Sequence, residues 1–167
     1  MYIDLRSDTV TQPTPEIREA MCRAKVGDDV MDCDPTVSRL EEMSAEMLGK
    51  EAGLFVPSGT QSNLCALLSQ CERGDEYLVG QTAHTYLFEG GGAAVFGSIQ
   101  PQSLDQEEDG TLALDKLAAL VKPDDFHFAR TKLLCLENTT WGKVLPLDYL
   151  KLVQSFASDY QLSLHLD

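Results

Sequence analysis

From residue 54 to residue 167 strand-like runs and amphipathic stretches take turns, and this alternation leaves the chain few folds to choose from. Strands are read at Leu54–Val56, Glu76–Val79, Gln100–Asp105, Lys132–Glu137 and Leu162–Asp167. Helical spacing recurs between them: Leu64, Leu67, Leu68 and Cys71, then Leu114, Leu117, Ala118 and Val121, then Leu150, Val153, Ala157 and Tyr160. Residues 83–97 read as a short helix followed by a glycine-rich turn. KLLCLE, at Lys132–Glu137, is apolar throughout between two charges, as a parallel strand buried on both faces would be. The expected fold class is α/β, a mostly parallel sheet with right-handed crossovers and flanking helices.

Two helices precede this region. Thr14-Pro15-Glu16 supplies an N-cap, a first-turn proline and an acid at the positive helix end, with Ile17, Ala20, Met21 and Ala24 as the apolar stripe. Asp34-Pro35-Thr36 starts a second helix, with Val37, Leu40, Met43 and Met47 as its expected buried face and Gly49 as its C-terminal cap.

The chain's 167 residues suffice for one domain with a core, and no internal repeat or linker-like composition shift divides them. A net charge of −14 argues against nucleic acid and against an anionic membrane surface as partners. No apolar run is long enough to span a bilayer, and MYIDLRSD is too polar for a secretory signal. Five cysteines without a C-x-x-C pair suit reduced thiols in a cytoplasmic protein rather than disulfides or zinc. Aspartates 28, 29, 32 and 34 lack the central glycine and closing glutamate of an EF-hand loop, so no metal site is read there. Gly90-Gly91-Gly92 lacks the spacing of a dinucleotide site, and there is no Walker A sequence.

One segment carries chemistry. In LFVPSGTQSNLCALLSQC, residues 54–71, an apolar run breaks at Pro57-Ser58-Gly59 and a helix begins. The first N–H groups of a helix lack internal partners and carry partial positive charge, which suits a phosphate. Gly59 lets the backbone approach a ligand and Thr60 adds a hydroxyl. The same segment also fits a strand-to-helix turn with no ligand. Ligands in open α/β sheets bind at the carboxyl ends of strands, where the Gly59 turn, the end of Lys132–Glu137 and Asp167 converge. A phosphate site with an aspartate a few strands away fits a pyridoxal 5'-phosphate pocket, since a carboxylate keeps the pyridine nitrogen protonated.

The motifs DLRSDTVTQP, GDDVMDCDPTV, VPSGTQSNL, GQTAHTYLFEGGGAA, ARTKLLCLENT and LHLD together resemble the N-terminal part of the threonine aldolases, most closely the bacterial low-specificity L-threonine aldolases. The resemblance runs in order along all 167 residues. It implies a fold-type I pyridoxal-phosphate enzyme, similar in fold to aspartate aminotransferase, that cleaves the β-hydroxy-α-amino acid threonine to glycine and acetaldehyde. It also implies a homo-oligomer, a dimer of dimers with sites at dimer interfaces. By resemblance, Gly59, Thr60 and Gln61 hold the cofactor phosphate, His84 stacks on the pyridine ring near the substrate hydroxyl, and Asp167 meets the pyridine nitrogen. Ser7 matches a serine that binds the substrate carboxylate, His127 a histidine placed near the active site, and Asn138 is placed to approach the cofactor's ring oxygen.

The chain departs from the family pattern at Met31-Asp32-Cys33, where Tyr-Gly is usual, and at Thr140-Trp141, where His-Asn is common. The resemblance also places the lysine that forms the Schiff base, and an arginine for the substrate carboxylate, beyond Asp167. Residues 1–167 are accordingly expected to be an N-terminal segment plus most of the cofactor-binding large domain, without the small C-terminal domain and inactive alone. Two other readings stay open: a β-eliminating lyase of the same fold type, and a non-catalytic chain that only assembles with partners.

Overall fold

The computed structural model describes residues 3–31 and 34–167, which form two compact units, Met1–Phe55 and Val56–Asp167. Among the described residues of the first unit the regular elements are two α-helices, α1 (Pro15–Arg23) and α2 (Pro35–Leu48), and two short 3-10 turns. Their starts follow the sequence. Thr14 accepts a hydrogen bond from the Ile17 N–H, and Asp34 accepts from the Thr36 and Val37 N–H groups. The second Asp34 oxygen accepts from the Gly27 N–H at 2.9 Å, and these bonds hold its carboxyl below the usual carboxylate range. Gly49 ends α2 in the left-handed conformation, at φ 61°. Of the expected buried face of α2, Leu40, Met43 and Met47 stay exposed and Val37 is half-buried; Ile17 and Met21 of the α1 stripe are exposed as well. Periodicity sets where an apolar face lies, but among the described residues of this unit no sheet covers it. Asp32 and Cys33 lie outside the described residues.

The second unit runs α3 (Gly59–Gln70), β1 (Asp75–Gly80), α4 (His84–Leu87), α5 (Gly92–Gly97), β2 (Gln100–Leu104), α6 (Leu114–Leu120), β3 (Arg130–Leu136), β4 (Thr139–Thr140), β5 (Lys143–Val144), α7 (Leu147–Asp159) and β6 (Ser163–Leu166). The sheet order is β2-β1-β3-β6, with every pair parallel. Successive residues of a strand face opposite sides. Tyr77, Val79, Leu133 and Cys135 pack with Leu67 of α3 and Ala93 of α5 on one face. Leu78, Leu134 and Leu136 pack with Leu117 of α6 and Val153, Phe156 and Ala157 of α7 on the other. The uninterrupted apolar run of β3 is thus buried on both faces, as its sequence required. Burial in this core pushes the Cys135 thiol up to about 12.

A charged cluster is buried with the sheet. Glu76 of β1 is fully buried; one carboxylate oxygen accepts from Lys122 Nζ at 3.1 Å and from the Thr131 hydroxyl at 2.7 Å, the other from the Gln100 amide at 3.1 Å.

Two sequence expectations need correction, and one element was not foreseen. Leu54–Val56 is not a strand: among the described residues it joins no ladder, the Phe55 N–H donates to Glu41 Oε1 at 2.7 Å, and Leu54 and Phe55 are exposed. The glycine turn in 83–97 is followed by a second helix, α5, entered through Gly90 and Gly91 at positive φ. Between β3 and α7 lies a hairpin, β4–β5, whose central residues Trp141 and Gly142 both sit at positive φ, the pattern of a tight two-residue turn.

Candidate active site

The carboxyl ends of the strands gather one polar cluster. The chain leaving β1 runs to α4, which begins at His84. β3 ends beside Glu137 and Asn138, and β6 ends beside Asp167. The main chain ties the last two together: the Asp167 N–H donates to the Leu136 carbonyl at 2.9 Å and the Asn138 N–H to the Asp167 carbonyl at 2.8 Å.

The start of α3 is delivered to the same edge. Ser58 caps it, its hydroxyl accepting from the Gln61 N–H at 3.2 Å. The N–H groups of Gly59 and Thr60 find no acceptor among the described residues. Nothing lies within 4 Å of where a Cβ on Gly59 would sit, so the fold leaves open space at the helix terminus. One turn further along, Asn63 is buried and donates to Asp167 Oδ2 at 2.9 Å. A helical turn rises about 5.4 Å, so this bond sets the free end of α3 about one turn beyond the point where Asn63 meets Asp167.

Asn63 makes two further bonds. It donates to Glu89 Oε1 at 2.8 Å, and its own oxygen lies 2.8 Å from His165 Nε2. An amide oxygen only accepts, so His165 carries its proton on Nε2. Burial holds the His165 pKa below the ordinary value, keeping the ring neutral, while Asp167 and Glu89 pull the other way. Glu89, its side chain almost wholly buried, lies 2.8 Å from His84 Nδ1. The His84 main-chain N–H donates to Glu137 Oε1 at 2.6 Å. The His84 side chain itself is 49% exposed, so the imidazole is held at Nδ1 and about half of its surface stays open. Phe88 lies 5.7 Å from the His84 ring, centre to centre, and Trp141 6.1 Å from Phe88, with the indole N–H donating to the Thr82 carbonyl.

His84, Asp167 and the Gly59-Thr60 terminus are therefore brought together, with Gln61 beside them in the first turn of α3. The main chain of Asn138 is at this edge as well. One candidate of this unit is not joined to the cluster. His127 lies in the loop that enters β3, at the amino end of the strand, and its Nδ1 bonds Asp125 at 2.7 Å. A parallel strand carries its two ends to opposite edges of the sheet, so this loop is kept away from the Asp167 edge. Ser7 belongs to the first unit, where it caps the turn Asp8–Val10 and accepts from the Thr9 N–H at 3.3 Å. Sequence reading missed Asn63, Glu89, Glu137 and His165. For Asn63 a signal existed: it shares the buried face of α3 with Leu67 and Cys71, where a polar residue requires a partner.

An open parallel sheet with ionisable groups and a free helix terminus at its carboxyl edge defines an α/β ligand-binding domain. The chain belongs to the beta-eliminating lyase family, whose profile matches residues 4–167. It is 64% identical over 165 residues to the low specificity L-threonine aldolase of Escherichia coli strain K12, covering 99% of this chain and 50% of that protein. It is 46% identical over 171 residues to the probable low-specificity L-threonine aldolase 2 of Arabidopsis thaliana, covering 99% of this chain and 48% of the relative. The chain thus spans about half the length of the curated relatives it matches. Its fold is that of the threonine aldolase of Leishmania major, with a TM-score of 0.82 at 21% identity, covering 95% of this chain and 47% of the other.

Proposed function

We propose that the full-length protein is a pyridoxal-phosphate-dependent aldolase that cleaves L-threonine and L-allo-threonine to glycine and acetaldehyde. The observation that carries this reading is the convergence of the free α3 terminus, His84 and Asp167 at one strand edge. The identity to low specificity L-threonine aldolases supports it.

The residues present fit the cofactor. Two unpaired N–H groups at a helix terminus, with the Thr60 hydroxyl and Gln61 beside them, suit a phosphate dianion, and no Cβ at position 59 stands in its way. The Asp167 carboxylate, one oxygen on Asn63, suits a protonated ring nitrogen. The open face of His84 suits an aromatic ring, and Asn138 is placed to meet the ring oxygen. When bound, the cofactor withdraws electrons from the amino acid's α-carbon. In this reading His84 takes the proton of the substrate β-hydroxyl. The Cα–Cβ bond then breaks, the oxygen keeps its electrons as the aldehyde carbonyl, and the α-carbon is left to take up a proton and become glycine. Ser7 is proposed to bind the substrate carboxylate and His127 to act near a site of the assembled oligomer. A homotetrameric, cytoplasmic enzyme is part of the same proposal. Among the described residues no helix is long and apolar enough to cross a membrane.

The test is product analysis with the purified full-length protein. Threonine and allo-threonine are expected to release glycine and acetaldehyde in equal amounts, dependent on pyridoxal phosphate. The family name favours one competitor, β-elimination. Pyruvate and a phenol from tyrosine, without aldehyde from threonine, would replace the aldolase reading with that one.

A further inference from the structure

The two carboxylates of the site are not independent. Asn63 has two amide hydrogens and spends one on Glu89 Oε1 and the other on Asp167 Oδ2, at 2.8 and 2.9 Å. Its orientation is fixed by chemistry, because the reversed amide would set its oxygen against two carboxylates. The His165 N–H donates to the amide oxygen at 2.8 Å. Both polar atoms of Asn63 therefore have partners although the residue is nearly fully buried. Glu89 Oε1 in turn faces His84 Nδ1 at 2.8 Å, and it already accepts from Asn63, so it accepts from the imidazole too. Nδ1 must carry a hydrogen, and in the neutral ring Nε2 then holds the lone pair.

We infer that Glu89 and Asn63 are positioning residues: Glu89 locks His84 in the Nδ1–H form with Nε2 as the free base, and Asn63 fixes Glu89 and the Asp167 carboxylate on one rigid hub. This rests on the proposed role of His84 as the acceptor of the substrate hydroxyl proton. The proton leaves the hydroxyl for Nε2, His84 becomes imidazolium, and the Glu89 carboxylate beside Nδ1 offsets the new charge without itself taking a proton. The groups facing His84 are Glu89 at the ring and Glu137 at the main-chain N–H, with Asp167 and His165 two hydrogen bonds beyond Glu89, through Asn63. A histidine lacking such a partner exchanges its proton between the two nitrogens and can present the wrong one. Here the orienting group comes from the loop after α4, and its own support comes from α3.

The experiment reads the tautomer of His84 by nitrogen-15 NMR of histidine-labelled full-length protein, assigned with a His84→Gln control. The wild-type protein is expected to show a protonated Nδ1 and a bare Nε2 in the neutral ring, in the absence of substrate. Glu89→Leu and Asn63→Leu are expected to lose that preference, and Glu89→Leu to lower kcat for threonine cleavage about 10²-fold with little change in KM. A wild-type protein that cleaves threonine but carries the His84 proton on Nε2 would overturn the inference and leave the aldolase reading intact. A locked Nδ1–H tautomer in a protein that does not cleave threonine would sink the aldolase reading and retain the positioning role. The wild-type spectrum decides the inference even if a variant fails to fold.

Discussion

Removing Lys122 tests whether the buried charge of Glu76 holds the sheet together. Glu76 has no exposed side-chain surface and Lys122 keeps only 23% of its own. In Lys122→Met the carboxylate retains two neutral donors, Thr131 and Gln100, but loses the one cation paired with it among the described residues. The Gln102 amide oxygen and the Leu120 carbonyl lose the same ammonium, at 3.3 and 3.0 Å. Breaking one side of a buried pair costs about 3–5 kcal/mol, a large share of the roughly 5–15 kcal/mol that hold a domain folded. At a urea slope of about 2 kcal/mol per molar, the midpoint should fall by roughly 1.5–2.5 M. Glu76→Leu with Lys122→Met removes both charges and should recover most of that loss, since apolar replacements of buried pairs are often neutral. Urea denaturation followed by far-ultraviolet circular dichroism gives all the midpoints. A Lys122→Met cost under about 1 kcal/mol, or a double variant that simply adds the two single losses, would refute the argument.

Two further predictions separate site from scaffold. Gly59→Val puts a branched side chain into space that no protein atom occupies, so apo stability should stay within about 0.5 kcal/mol of wild type. Affinity for pyridoxal phosphate, measured by absorbance titration, should fall roughly ten-fold or more, because the anion loses its approach to the helix terminus; unchanged affinity would remove Gly59 from the phosphate site. The second prediction concerns His165, whose burial keeps the folded-state pKa below the ordinary 6.5. Below pH 6.5 the unfolded chain binds the proton more readily, so this residue costs nothing above that pH. Its cost grows as pH falls toward the folded pKa and is constant below it. His165→Gln keeps an N–H for Asn63 without titrating and should flatten that part of the melting-temperature profile; an identical slope would show that His165 is not its source.

The sheet was legible where one strand carried its own proof. KLLCLE admitted burial on two faces, and the caps at Thr14 and Asp34 named their helices because an orphan N–H needs an acceptor close in sequence. Leu54–Val56 was misread because a short apolar run reports hydrophobicity and not backbone pairing; here the Phe55 N–H is taken by the Glu41 carboxylate. The Trp141-Gly142 hairpin was missed because tryptophan rarely accepts positive φ. The site divided in the same way. Gly59, Thr60 and Asp167 lie at ends of elements, where chain direction predicts position. Asn63 bonds partners 26 and 104 residues away, so its role exists only once the sheet has closed.

Whether the carboxyl edge holds pyridoxal phosphate between α3 and Asp167 is read directly from a crystal structure of the cofactor-loaded full-length protein. Such binding predicts phosphate oxygens about 2.7–3.2 Å from the Gly59 and Thr60 nitrogens, the ring nitrogen at the same range from the Asp167 carboxylate, and the His84 imidazole over the ring face. Phosphate density at any other element, or a ring nitrogen facing away from Asp167, would contradict it.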